Sequence, residues 1–224
     1  SQCPEVHAVH IRTTARSNAI ILIPKNAFLF RALDYGLDMT SCLWCAADGK
    51  GNITVYREFN APNLILSQAA AEICARTPAG EKIRYPVASP DLWNRRQESG
   101  KRGFDILNSS GLKGLIKANN ARIPGWRAVR EYLNPKDGKS RLAISHSCAE
   151  LIRCLPLLRF DEKVREDASS QPHDITHAPE ALRYALMSRE PTAKSKITPK
   201  FRRSLYSFES PQTEDGYNGI IQYD

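Results

Sequence analysis

Asp34, Asp91 and Glu180 lie far apart in the chain, yet each stands where a secondary-structure element would present a carboxylate at its edge. Asp34 ends the apolar run Phe28-Leu29-Phe30-Arg31-Ala32-Leu33, and Asp91 follows a strand-like stretch. Glu180 lies in the helical segment His177-Ala178-Pro179-Glu180-Ala181-Leu182-Arg183-Tyr184-Ala185-Leu186. Carboxylates at strand ends and on a packed helix build oxygen-ligand sites for hard cations such as Mg²⁺ or Mn²⁺, and a pair of such ions is a recurrent device for cutting a phosphodiester. The formal charge of +8, from 32 Lys and Arg against 24 Asp and Glu, favours an anionic partner such as nucleic acid.

Asp34 is the strongest of these candidates, because a carboxylate ending an apolar central strand is costly to desolvate unless something cationic meets it. Tyr35-Gly36 follows, and a glycine there permits close approach of backbone or substrate. Asp38, in the same loop, reads first as a turn or cap residue and second as a ligand. On a helix, Ala178, Ala181, Leu182 and Ala185 share one face while His177, Glu180 and Tyr184 fall in a neighbouring arc of roughly 60°. The segment can thus pack on a sheet and present His177 and Glu180 together at its margin. Asp91, in Ser89-Pro90-Asp91-Leu92-Trp93, reads as a ligand or an N-cap, with Glu58 in reserve. Arg95, Arg96, Lys101, Arg102, Lys117 and Arg122 are candidates to meet DNA phosphates.

The elements that must position these residues are legible in the periodicity. Strands are expected at 28–33, 42–47 and 53–59, the last two joined by Asp48-Gly49-Lys50-Gly51-Asn52, which suits a tight antiparallel hairpin. A helix over 64–76 follows, with Asn63 as N-cap. Strands at 83–88, 115–118 and 141–144 then alternate with helices at 103–109, 125–133 and 149–155. A polar loop at 161–174 leads to a last helix over 178–188, halted by Pro191. Three hairpin strands followed by alternating helices and strands predict an α/β fold with a mixed sheet.

An apolar content of 42% is ample for a core in a chain of this length. The run Ala19-Ile20-Ile21-Leu22-Ile23 is too short to span a bilayer and closes at Pro24, so a soluble, cytoplasmic protein with no membrane partner is expected. Of the six cysteines, Cys42 and Cys45 have C-x-x-C spacing. On a strand, residues three apart face opposite ways, so buried reduced thiols fit better than a zinc site.

The segments Arg31-Ala32-Leu33-Asp34-Tyr35-Gly36, Val55-Tyr56-Arg57-Glu58-Phe59, Ser89-Pro90-Asp91-Leu92-Trp93, Gly125-Trp126, Leu151-Ile152-Arg153-Cys154-Leu155-Pro156 and His177 to Tyr184 occur in series. In that order they resemble the nuclease domain of the large terminase subunit of tailed bacteriophages and prophages. The resemblance implies a ribonuclease-H-like fold: a mixed β-sheet with a three-stranded antiparallel start, flanked by helices. It also implies a metal-dependent endonuclease that cuts concatemeric phage DNA during packaging, using two Mg²⁺ or Mn²⁺ ions. Asp34 then resembles the family's first-strand aspartate, while Glu180 and His177 stand at the last acidic position and the histidine preceding it. Two departures stand out: the last acid is usually aspartate, and many members have Asp-Pro where this chain has Ser89-Pro90, which shifts the middle acid to Asp91.

No G-x-x-x-x-G-K-[ST] loop is present, so the chain is expected to be the nuclease part alone. Residues 1–27 would then be a lead-in from the ATPase portion, residues 28–190 the nuclease domain and residues 191–224 a basic, partly ordered tail. The implied partners are double-stranded DNA, the ATPase portion of the same subunit, the small terminase subunit and the portal. The alternatives are another ribonuclease-H-like nuclease, such as a junction-resolving enzyme or transposase, and a non-catalytic DNA-binding or docking module.

Overall fold

The computed structural model describes residues 23, 26–36, 38–95 and 100–189. Of the lead-in expected at 1–27 only residues 23, 26 and 27 are described, and Arg96 and the tail at 191–224 lie outside the described residues. The fold is a six-stranded mixed sheet with helices on both faces. Its strands are β1 (Phe28–Tyr35), β2 (Thr40–Ala47), β3 (Ile53–Ala61), β4 (Pro86–Ala88), β5 (Ile116–Lys117) and β6 (Leu142–Ile144), in the order β5-β4-β1-β2-β3-β6. Strands β1 to β3 are antiparallel neighbours, whereas β4, β5 and β6 add in parallel. The β2–β3 turn closes as its sequence predicts: Asp48 Oδ1 accepts the backbone N–H groups of Lys50 and Asn52 at 2.8 and 2.9 Å.

The helices are α1 (Leu66–Ala75), α2 (Gly103–Ser109), α3 (Arg122–Leu133), α4 (Ala149–Cys154) and α5 (His177–Met187). Strand pleating divides the core into two layers. Phe30, Ala32, Leu43, Cys45 and Val55 face α5, α3 and α4, meeting Leu182, Ala185, Trp126 and Leu151. Leu33, Cys42, Trp44 and Phe59 face α1 and α2, where Ile73 and Leu107 fill the gaps. Cys42 and Cys45 thus lie in different layers as free thiols, and burial pushes the Cys42 thiol up to about 12. Every residue of β2 is buried, as a central strand covered on both faces requires.

Two local expectations are corrected. Asn63 does not cap α1: its φ of 58° is left-handed, and the N-cap position falls at Ile65, whose N–H reaches Gln68 Oε1 at 3.2 Å. Helix α3 starts three residues earlier than expected, at Arg122, because Pro124 sits within the first turn, where its missing N–H has no intrahelical partner to lose. Among the described residues no helix is long and apolar enough to cross a membrane.

Candidate active site

The pleat that sends Phe30 and Ala32 into the α5 layer also directs Asp34, two residues on, to that face. Helix α5 packs against β1, β2 and β4, so its first turn meets the end of β1. There His177 Nδ1–H donates to Asp34 Oδ2 at 2.8 Å, and His177 Nε2 lies 3.2 Å from Asp38 Oδ2. Asp38 also holds His173 Nδ1 at 2.6 Å. The turn is tight because residue 36 is glycine: a Cβ there would lie 2.6 Å from Asp38 Oδ1 and 2.9 Å from the His177 ring.

Glu180 is held from two sides. Arg122, the first residue of α3, donates from Nη1 to Oε1 at 2.6 Å, and Arg183 donates from Nε to Oε2 at 2.7 Å. The Arg183 side chain is fully buried. Its Nη2–H donates to Asn120 Oδ1 at 2.8 Å, and the guanidinium lies 4.7 Å from the Tyr184 ring centre and 5.8 Å from that of Trp126. Gly125 on α3 admits it, since a Cβ there would fall 2.7 Å from Arg183 Cγ and 2.8 Å from Cδ. Gly125→Ala should therefore displace Arg183 and destabilise the fold by about 1–3 kcal/mol, as overpacking does, which a denaturant titration would read.

The electrostatics mark a concentration of negative charge. Burial raises the Asp34 carboxyl above its usual range; the His177 hydrogen bond and charge oppose this, while the nearby charges of Glu180 and Asp91 add to it. Tyr184 is pushed up by burial first and then by Asp34, Glu180 and Asp91. The three carboxylates thus act on one locality, although Asp91 itself is exposed, in the one-turn 3₁₀ helix Pro90–Trp93. Burial alone would lower His177, but Asp34 and then Asp38 hold it above the usual histidine value. Desolvation pushes the Asp38 carboxyl upward, but the hydrogen bonds from His173 and His177 and the His177 charge together draw it down to about 2.

Other candidates have different surroundings. The Glu58 carboxylate accepts the N–H groups of Glu150 and Leu151 at 2.7 and 3.0 Å, which caps the start of α4. Arg122, read as a phosphate contact, instead bridges Glu180 to Asp167, its Nε lying 2.9 Å from Asp167 Oδ2. Arg102 is paired with Asp105 at 2.9 Å on the surface. Arg95, Lys101 and Lys117 are exposed, and Arg95 pairs by backbone with Arg102. Ser89, buried at the end of β4, accepts the Tyr35 N–H at 3.4 Å, beside Asp34. The sequence reading missed His173, Arg183, Asn120 and Asp167. For His173 a signal existed, the H-x₃-H spacing with His177, and for Arg183 the i,i+3 spacing from Glu180.

No family model matches the sequence, and no curated protein does. Solved structures do match in fold. The nuclease domain of the phage P22 large terminase superposes with a TM-score of 0.58 at 16% identity, over 74% of this chain and 83% of that one. The large terminase nuclease domain of bacteriophage SPP1, solved with bound Mn, gives 0.50 at 17%, over 70% and 84%. The large terminase of a thermophilic bacteriophage gives 0.56 at 18%, over 73% of this chain but only 41% of that protein. The sheet order and these superpositions define the class: the chain has the ribonuclease-H-like fold of large-terminase nuclease domains.

Proposed function

We propose that the chain is a metal-dependent DNA endonuclease, the nuclease part of a phage or prophage large terminase that cuts concatemeric DNA during packaging. The observation that carries the reading is the fold shared with large-terminase nuclease domains, in which the first turn of α5 brings His177 onto Asp34 and carries Glu180 three residues further on. The donors suit hard cations, being carboxylate oxygens only. The two hydrogen bonds from the arginines leave acceptor sites on the Glu180 oxygens. Asp34, Asp91 and Glu180 would hold two Mg²⁺ or Mn²⁺ ions. Bound there, the ions supply Lewis acidity that activates a water and stabilises the leaving 3′-oxygen.

The protein's own part is positioning. His177 fixes the Asp34 carboxylate through Nδ1–H and so orients that ligand. Arg183, locked by burial, sets the rotamer of Glu180. Arg95, Arg96, Lys101, Arg102 and Lys117 supply phosphate contacts, with Arg122 left to the Glu180 ion pair. The substrate is double-stranded DNA in the bacterial cytoplasm, and the ATPase portion of the same subunit, the small terminase subunit and the portal are the partners of this reading.

Purified chain incubated with supercoiled plasmid tests it. Nicking is expected with Mg²⁺ or Mn²⁺ and none in excess chelator; DNA retained in a gel and never cut would favour a docking module instead. Preference for a branched substrate over plasmid would favour a junction-resolving enzyme. If about four phosphates are contacted, affinity should fall roughly a hundredfold between about 50 and 200 mM salt, as filter binding would show.

A further inference from the structure

Asp38, His173 and His177 bring three ligand atoms of mixed nitrogen and oxygen type within 4.8 Å of one another. We propose that they form a second cation site, distinct in chemistry from the carboxylate set, that takes a borderline transition-metal ion of the Zn²⁺ class. Two imidazoles and one carboxylate suit such an ion and not Mg²⁺, which selects oxygen. Asp38 Oδ2 already stands 2.6 Å from His173 Nδ1 and 3.2 Å from His177 Nε2. Ligand atoms of a tetrahedral Zn²⁺ lie roughly 3.3 Å apart, given bonds of about 2.0–2.1 Å. Only a small opening is therefore required, and the side chains of Asp38 and His173, each 54% exposed, can supply it.

Three further features fit a ligand set better than a chance hydrogen-bond cluster. The buried His177 gives its Nδ1–H to Asp34 Oδ2 at 2.8 Å, which orients the ring and leaves Nε2 to bind the ion, the carboxylate–histidine–metal arrangement common at zinc sites. His173 opens the 3₁₀ turn His173–Ile175 just before α5 and His177 is the first residue of α5; their rings meet edge-on with centroids 4.5 Å apart. Gly36 supplies the close approach that folds Asp38 back onto His177, since a Cβ would occupy that space. The exposed side leaves a coordination position for water or an incoming ligand. Asp34 links this site to the carboxylate set, so an ion here would fix the carboxylate that the nuclease reading depends on.

The test reads the ion and not cleavage, so its failure leaves the nuclease proposal standing, and the reverse. Metal-stripped full chain is titrated with Zn²⁺ against a chromophoric chelator, and with Co²⁺ while its visible ligand-field bands are recorded. Wild type should take up one Zn²⁺ and show four- or five-coordinate Co²⁺ bands. His173→Ala and Asp38→Asn, both at exposed side chains, should bind about a hundredfold more weakly or worse, and Gly36→Ala about tenfold more weakly, whereas Glu180→Gln and Asp91→Asn stay within about threefold. Unchanged affinity in His173→Ala, loss of the bands in Glu180→Gln, or no Zn²⁺ uptake by wild type would each overturn the proposal.

Discussion

Asp34→Asn should lower plasmid nicking by at least a factor of about a thousand, or roughly 4 kcal/mol of barrier, while the protein stays folded. The two halves of this expectation have separate causes. The carboxylate ends an apolar strand and is already held above its normal range by burial and by the charges of Glu180 and Asp91, so removing its charge relieves desolvation. The amide that replaces it keeps an oxygen to accept the 2.8 Å hydrogen bond from His177. What is lost is the negative oxygen needed to hold a divalent cation. Glu180→Gln should behave alike in cleavage, and circular dichroism would confirm the fold of both. Undiminished nicking by either variant, with contaminating nuclease excluded, would sink the assignment of these ligands.

Arg183→Ala should be among the most damaging substitutions to stability, by about 3–5 kcal/mol, and so should lower the melting temperature by roughly 10 °C in a domain of this size. The guanidinium is fully buried between α3 and α5, and it serves Glu180, Asn120 and two aromatic rings at once. Truncation leaves both a cavity and a largely buried carboxylate with Arg122 as its remaining described cation. Arg183→Lys keeps the charge but loses the planar fork that meets Glu180 and Asn120 together, so it should recover only part of the loss. Differential scanning calorimetry of the three proteins would measure it; a melting point within about 2 °C of wild type for Arg183→Ala would contradict this account of the α3–α5 contact.

The contrast between Asp34 and Asp38 shows what was legible in the sequence. Asp34 could be read because local rules decide it: an apolar run makes a strand, the pleat sets the face, and the residue after the run stands at the edge. The β2–β3 hairpin follows equally from its Asp-Gly and Gly-Asn pairs, and the register of Phe28 to Tyr35 against Thr40 to Ala47 follows from short connection and alternation. Asp38 was read as a turn residue because its partners come from 135 and 139 positions away, and no local pattern reports such a contact. Glu58 illustrates the same limit in reverse: it lies inside β3, and its carboxylate meets the start of α4, some ninety residues on. Arg122 read as a surface cation because nothing nearby in sequence announces Asp167 and Glu180. The strand at 83–88 shrank to Pro86–Ala88 because proline at its first position has no N–H to continue the ladder, although Arg84 N–H and the Tyr85 carbonyl still bond to Leu29 and Arg31 of β1 at 2.8 and 3.0 Å.

The middle ligand is the corner of the site on which local rules are weakest. Ser89 is the buried residue whose Oγ accepts the Tyr35 N–H beside Asp34, and Asp91 lies two residues on, in the exposed turn that follows. Diffraction from crystals of the chain soaked in Mn²⁺, recorded where manganese scatters anomalously, tests the central claim most directly. The account predicts anomalous density bounded by Asp34, Asp91 and Glu180; manganese bound elsewhere, with none among these three carboxylates, would contradict it.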